Sequence, residues 1–244
     1  MPIFSSSVNK KRDVDEENPY WISFSDIMSG LLIIFILATL QLLLELSEKN
    51  DDIDNAIKEI AKTNQVREEI LDQIIKTLHK ENIKVELDDN RAVLHIPEEV
   101  LSFRRGSHSI PENKKRIVNR VGEVLYEAIV AEDRYKLINT IFIEGHTDSE
   151  PANRIKMGNW GLSANRAIEV WDYWRLHEGY GEELSKLKNT QDELMFSVSG
   201  YAETRRINIL ELTKEDLRKN RRIDIRFTMR QPNIADLEKI QEIF

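Results

Sequence analysis

The sequence predicts one N-terminal membrane-spanning helix, a helical linker, and an α+β domain whose helices cover one face of a mixed sheet. Three observations carry this. A charge-free apolar run lies near the N-terminus, a highly charged stretch of helical periodicity follows it, and strand and helix patterns alternate thereafter. The expected segments are a tail at 1–20, the span at 21–46, the linker at 47–82, the α+β domain at 83–230 and a tail at 231–244.

The span is read from Ile27 to Leu44, 18 residues without a charge, bounded by Asp26 and Glu45. At about 1.5 Å per residue this reaches roughly 27 Å, close to the hydrocarbon thickness of a bilayer. Tyr20 and Trp21 supply interfacial aromatics at its start. A cleaved signal sequence would carry basic residues directly before the run and small residues after it. Here Lys10, Lys11 and Arg12 lie well upstream and the exit reads ELSEKNDD, so the span is an uncleaved anchor. The three upstream basic residues lean toward a cytoplasmic N-terminus, against Lys49 and Lys58 on the other side.

In the linker, Ile53, Ile57, Ile60, Leu71, Ile74 and Leu78 recur at helical spacing, which fits a short coiled coil or a helix lying on a neighbour. IKVEL and AVLHI flank Asp88, Asp89 and Asn90, the pattern of a β-hairpin. A helix from about Pro111 to Val130 follows, with Ile117, Val118, Val121, Val124, Leu125 and Ile129 on one face. NTIFIEG reads as a strand and HTDSEPANRIKMGNWG as a loop. LSANRAIEVWDYWRLHE reads as a helix with Ala167, Val170, Trp171 and Trp174 inward, and MFSVSG and RRIDIRFTM as the last strands.

Composition narrows the function classes. Lys and Arg total 35 against 43 Asp and Glu, for a net charge of −8, which argues against a nucleic-acid partner. With no cysteine, thiol catalysis, disulfides and Cys-based zinc sites are excluded. No phosphate-cradling Gly loop, G-x-S-x-G elbow or H-E-x-x-H pair is present, so no catalytic residue, metal site or cofactor is expected. His146 with Asp148 and Glu150 reads as a solvated loop, and the Arg205–Arg206 and Arg218–Arg222 clusters as solvated faces.

Two constellations stand out. Asp26 sits five residues inside Trp21 among apolar neighbours, in WISFSDIMSGLLIIF. As a helix-entry residue it could be a cap. Nearer the bilayer centre a charge costs roughly 2.5–3.5 kcal/mol. A carboxylate there can switch between neutral and charged forms on small rearrangements, the requirement for a proton carrier. A lone helix cannot shield it, so a partner membrane protein is implied.

The second constellation is GHTDSEPANRIKMGNWGLSANRA, followed by GYAET and NRRIDI. These residues resemble the OmpA-like peptidoglycan-binding domain, whose motifs are a strand ending in G-H-T-D, N-x-x-L-S-x-x-R-A on a helix, and N-R-R-[VI] entering the last strand. NWGLSANRA and the Trp–Ile–Ser–Phe–Ser–Asp entry to the span are similar to the stator subunit family MotB, where the matching Asp carries the ion. By resemblance, Asp148 takes the ammonium of the diamino acid in the cell-wall stem peptide and Arg166 its carboxylate. Asn159 and Leu162 shape the pocket, and Arg222 matches the last-strand Arg. Gly158 departs from the pattern, since many relatives have Tyr there.

The short linker, about 36 residues, resembles the ZorB family of the Zorya anti-phage systems more than flagellar MotB. The resemblance implies the B subunit of an ion-driven motor, with a proton favoured over sodium as the ion, in a bacterial inner membrane, single-pass, with a periplasmic C-terminal domain. Its implied partners are a pentamer of MotA/ZorA-like subunits around a homodimer of this chain, and peptidoglycan. A flagellar stator subunit and a passive membrane-to-wall anchor remain the alternatives, and Asp26 separates the last from the others.

Overall fold

The structure, a computed structural model, describes residues 19–104 and 106–231; the two expected tails fall almost wholly outside the described residues. The chain divides into two compact units, Met1–Asp54 and Asn55–Phe244. Helix α1, Pro19–Lys80, begins in the first and ends in the second.

In the first unit α1 presents apolar side chains on every face. Phe35, Leu37 and Leu42 are each at least 60% exposed, and none of the most apolar 18-residue window is buried. By length and composition this is a helix able to cross a membrane. One hydroxyl within the run is satisfied by the helix's own carbonyls, as a lipid environment would require. The Thr39 hydroxyl donates back to Phe35 O and Ile36 O, each at 2.9 Å.

In the second unit α1 ends where its sequence says it should. Asn82 adopts a left-handed φ of 58°, its N–H donates to His79 O at 3.0 Å, and Ile83 N–H donates to Leu78 O at 2.9 Å. This is a Schellman stop with Asn in place of Gly, closed by the buried pair Leu78 and Ile83. Ile70, Leu71, Ile74 and Leu78 are fully buried. The last turns of the expected linker are therefore part of the domain core rather than a tether outside it.

The remaining elements are β1 Glu86–Leu87, β2 Val93–Pro97, α2 Glu98–Leu101, α3 Lys115–Val130, β3 Ile138–His146, α4 Gly158–Arg175, α5 Gly181–Lys186, β4 Phe196–Gly200, α6 Lys214–Asn220 and β5 Arg222–Met229. The sheet order is β1-β2-β5-β3-β4, with β3 and β4 parallel and the other pairs antiparallel. The expected hairpin, helices and strands are present. Helix α4 starts at Gly158, four residues before the expected Leu162, and α2, α5 and α6 carried no periodicity long enough to be read from sequence.

Alternation assigns the sheet faces. Leu94, Ile96, Ile141, Ile143, Ile223 and Ile225 are all fully buried on one face, in a single core with α3, α4 and the end of α1. Trp174 joins α4 to α3, its indole N–H donating to Val118 O at 2.8 Å. The opposite face is polar, with His95, Asp224 and Glu144 in register across three strands.

Two paired glycines fix how closely α4 approaches. A Cβ on Gly145 would lie 1.9 Å from Ser163 O, and one on Gly200 would lie 2.5 Å from Ala164 N. Only hydrogen at these positions lets the helix rest its first turns on the ends of β3 and β4. That seat brings Leu162 and Arg166 beside the loop leaving β3.

Candidate functional site

A cleft of about 620 Å³ opens at that junction. Asp148, two residues past β3, lines it together with Leu162 and Arg166 of α4, Glu98 of α2, and Leu217, Arg218 and Arg221 around α6. Leu162 and Arg166 reach it together because residues four apart share a helix face. The loop is held by Asn159. Its side-chain amide donates to Asp148 O at 3.3 Å and to Glu203 Oε2 at 3.0 Å, and its oxygen accepts from Ala152 N at 3.0 Å. Asn159 thus shapes the cleft from behind without lining it.

The charges are unevenly matched. Asp148 is buried, with Oδ1 accepting from Glu150 N at 3.1 Å and Oδ2 taken by Arg221. Arg221 also donates to Glu98 Oε2 at 2.7 Å. Arg166 is 3% exposed, yet among the described residues no carboxylate pairs with it. Its Nε donates to Ser107 O at 3.0 Å, and its guanidinium lies 5.0 Å from the centre of the Phe103 ring. Burial pushes the Arg166 guanidinium down to about 10; Glu98 and Asp148 pull against this and Arg221 reinforces it. Arg166 is still protonated at neutral pH, a buried cation held by carbonyls and an aromatic face and short of an anion.

The cleft can therefore take a zwitterionic end group, its anion on Arg166 and its cation among Asp148 and Glu98. An internal Asp148–Arg166 pair, the alternative to a binding role, is not what forms: the partner of Asp148 is Arg221.

Arg222 is elsewhere. It is buried on β5, its Nε donating to both oxygens of Asp224 at 2.9 and 3.1 Å and its Nη2 to Arg205 O at 3.1 Å. Consecutive residues at a strand entrance point to opposite sides, so of the two motif arginines Arg221 enters the cleft and Arg222 supports the sheet behind it. Arg221 thus belongs to a cleft, not to the solvated face its spacing suggested, while Arg218 lines the same cleft and is still exposed to solvent. Glu98 had no sequence signal at all. Asp26 lies in the other unit, exposed on α1.

His146 also departs from its reading as a loop residue. It is 1% exposed, its Nε2 lies 3.1 Å from Asp224 Oδ2, and Tyr201 stacks on it at 5.4 Å. His95 Nδ1 approaches the other Asp224 oxygen at 2.7 Å. Glu144, His146 and Asp224 place ligand-type atoms within 4.8 Å of one another. Arg226 on Glu144 and Arg222 on Asp224 already neutralise both carboxylates.

This cluster sets an acid response. Burial opposes the charge on Asp224, but the close approach of His146, the hydrogen bond from His95 and the nearby Arg222 hold its carboxyl well below the usual range. Burial also pushes His146 below the ordinary imidazole value, against the pull of Asp224. For both groups the unfolded chain binds more protons than the folded one once pH falls below the unfolded value. The contribution of His146 is complete above about pH 6.5 and is lost below it, at up to about 1.4 kcal/mol per pH unit. The thermal midpoint of the domain should therefore fall between pH 7.5 and 5.5 (about one pH unit to either side of the imidazole value), and His146→Gln should flatten that fall. An unchanged slope in His146→Gln would remove His146 from the account.

Residues 102–221 match the model of the OmpA family. The chain is 24% identical over 143 residues to the Zorya protein ZorB of Escherichia coli O139:H28, a match covering 59% of this chain and 56% of that protein's length. Among solved structures, a MotB-like protein from Desulfovibrio vulgaris superposes with a TM-score of 0.51 at 20% identity, covering 73% of this chain and 98% of that one. The periplasmic domain of Helicobacter pylori MotB gives a TM-score of 0.45 at 21% identity, covering 65% and 88%. Residues 102–221 are thus similar to the OmpA family, the chain is similar to ZorB, and its fold is that of the MotB-like structure from Desulfovibrio vulgaris.

Proposed function

We propose that this chain is the B subunit of a proton-driven motor in a bacterial inner membrane, anchored to peptidoglycan and working with a MotA/ZorA-like subunit in anti-phage defence. The observation that carries the wall-binding half is the cleft, where a buried Arg166 beside Asp148 has no anionic partner among the described residues. The similarity to ZorB and the apolar helix support the membrane half. In this reading 21–46 spans the bilayer with its N-terminus cytoplasmic. Residues 47–82 link the span to a periplasmic domain at 83–230, the end of the linker docking into the domain core. Asp148, Leu162 and Arg166 touch the stem peptide, Asn159 holds the loop, and Arg222 acts through the sheet.

The full chain should sediment with purified peptidoglycan sacculi and be released by stem peptide freed from the same sacculi. Sedimentation that excess stem peptide leaves unchanged would reject the cleft as the binding site.

A carboxylate-bearing span needs shielding from lipid, and the resemblance to MotB and ZorB suggests that two copies of this chain stand inside a ring of five partner subunits. The mass of the detergent-solubilised complex should correspond to that composition. A mass with one copy, or with no partner, would reject the assembly.

A further inference from the structure

The segment between β4 and α6 turns the usual polarity inside out. Ile207, Ile209, Leu210 and Leu212 are 51%, 70%, 73% and 79% exposed, while the polar residues between them point inward. Asn208 N donates to Asn220 Oδ1 at 2.9 Å, and Asn220 Nδ2 donates to Asn208 O at 2.8 Å and to Glu211 Oε1 at 2.6 Å. Glu211 accepts from Ser149 N at 3.2 Å and pairs with Arg206 at 3.6 Å, its side chain 6% exposed. Glu211 holds a left-handed φ of 46°, a costly conformation for a residue with a Cβ. A Thr213–Asp216 capping box closes the segment onto α6. Four aliphatic groups are thus displayed from a pinned frame, not left over from a loose loop.

Water alone gives no reason for such a display, and an exposed aliphatic cluster of this kind marks a contact surface. The surrounding charge selects the partner. Arg205, Lys214 and Lys219 are exposed close to the cluster in sequence, Lys214 also lining the cleft, in a chain whose net charge is −8. Of the three carboxylates in 205–219, Glu211 is turned inward, Asp216 is spent on the cap and Glu215 pairs with Arg218 at 3.6 Å, which leaves Arg205, Lys214 and Lys219 as the surplus. Two copies meeting through this patch would bring like charges together. Aliphatic tips also offer no flat face for a sugar ring.

We propose that the 207–212 segment is an interfacial membrane contact, its aliphatic tips entering the headgroup region of an anionic phospholipid surface while the flanking basic residues hold the phosphates. This goes beyond wall binding and does not depend on it.

The absence of native cysteine makes the test direct, because Leu210→Cys supplies a single site for an environment-sensitive fluorophore. The labelled full chain, held in phosphatidylcholine nanodiscs, is mixed with vesicles containing phosphatidylglycerol or with pure phosphatidylcholine vesicles. A blue shift and co-flotation with the anionic vesicles, weakened by salt, are expected. Adding Ile207→Ser, Ile209→Ser and Leu212→Ser should weaken partitioning by at least about tenfold, since three exposed aliphatic groups no longer enter the bilayer. These side chains are exposed, so the unfolding midpoint should not move. No shift with anionic vesicles overturns the proposal, as does flotation that the triple substitution leaves unchanged. A vesicle-independent shift that grows with protein concentration would assign the patch to a second copy and overturn it equally.

Discussion

Asp26→Asn is expected to abolish function while leaving insertion, partner assembly and wall binding intact. Asn keeps the size and hydrogen-bonding capacity of a protonated carboxyl, so it mimics the neutral state, but it cannot release a proton. The cycle between neutral and charged forms therefore stops. The driving force forgone is about 2.3 kcal/mol per charge for each 100 mV of membrane potential, enough to bias a conformational step when two such residues alternate. Asp26→Glu keeps the charge but moves it by one methylene, and activity should fall partly or wholly. The readout is protection from phage in cells carrying the variant with its partner subunit. Full protection by Asp26→Asn would refute ion transfer through Asp26, which lies two turns inside α1 and so is not its cap, and leave the chain a passive tether.

Some of this architecture was legible from residue patterns because single elements carry it. The β5 strand alternates strictly and NTIFIEG departs from alternation only at Phe142, so the face each side chain takes follows from the pattern. The loop motif placed Asp148, and helical spacing placed Leu162 and Arg166 on one face, because both relations are local. Tertiary relations were not legible. Helical periodicity in 53–78 is the same whether the face meets a second helix or a sheet, so the burial of Ile70 and Ile74 in the domain core could not be read from it. Arg221 and Arg222 are adjacent, and which one enters the cleft depends on where β5 begins. Glu98 reaches the site from a four-residue helix far away in sequence, without any pattern of its own. His146 reads as polar loop because its burial is supplied by Tyr201, 55 positions later.

The wall-binding claim rests on Arg166, and its replacement should have the second large effect. Arg166→Ala removes a buried guanidinium that pairs with no carboxylate among the described residues, so the proposed ligand's carboxylate would lose its bidentate partner. Charge-assisted hydrogen bonds contribute roughly 1.5–3 kcal/mol each, so binding should weaken at least about tenfold. Arg166 also anchors Ser107 O and lies over Phe103, so a loss of binding must be separated from a loss of fold. Arg166→Lys does this: it keeps the charge and fills much of the same volume but lacks the planar fork, and should bind between wild type and Ala. The deciding measurement is sedimentation of the full-length chain with purified sacculi, wild type against Arg166→Ala and Arg166→Lys, with the thermal midpoint of each recorded alongside. A graded loss of sedimentation without a matching graded fall in midpoint is the expected result. Wild-type sedimentation by Arg166→Ala would contradict the assignment of this cleft to the cell wall.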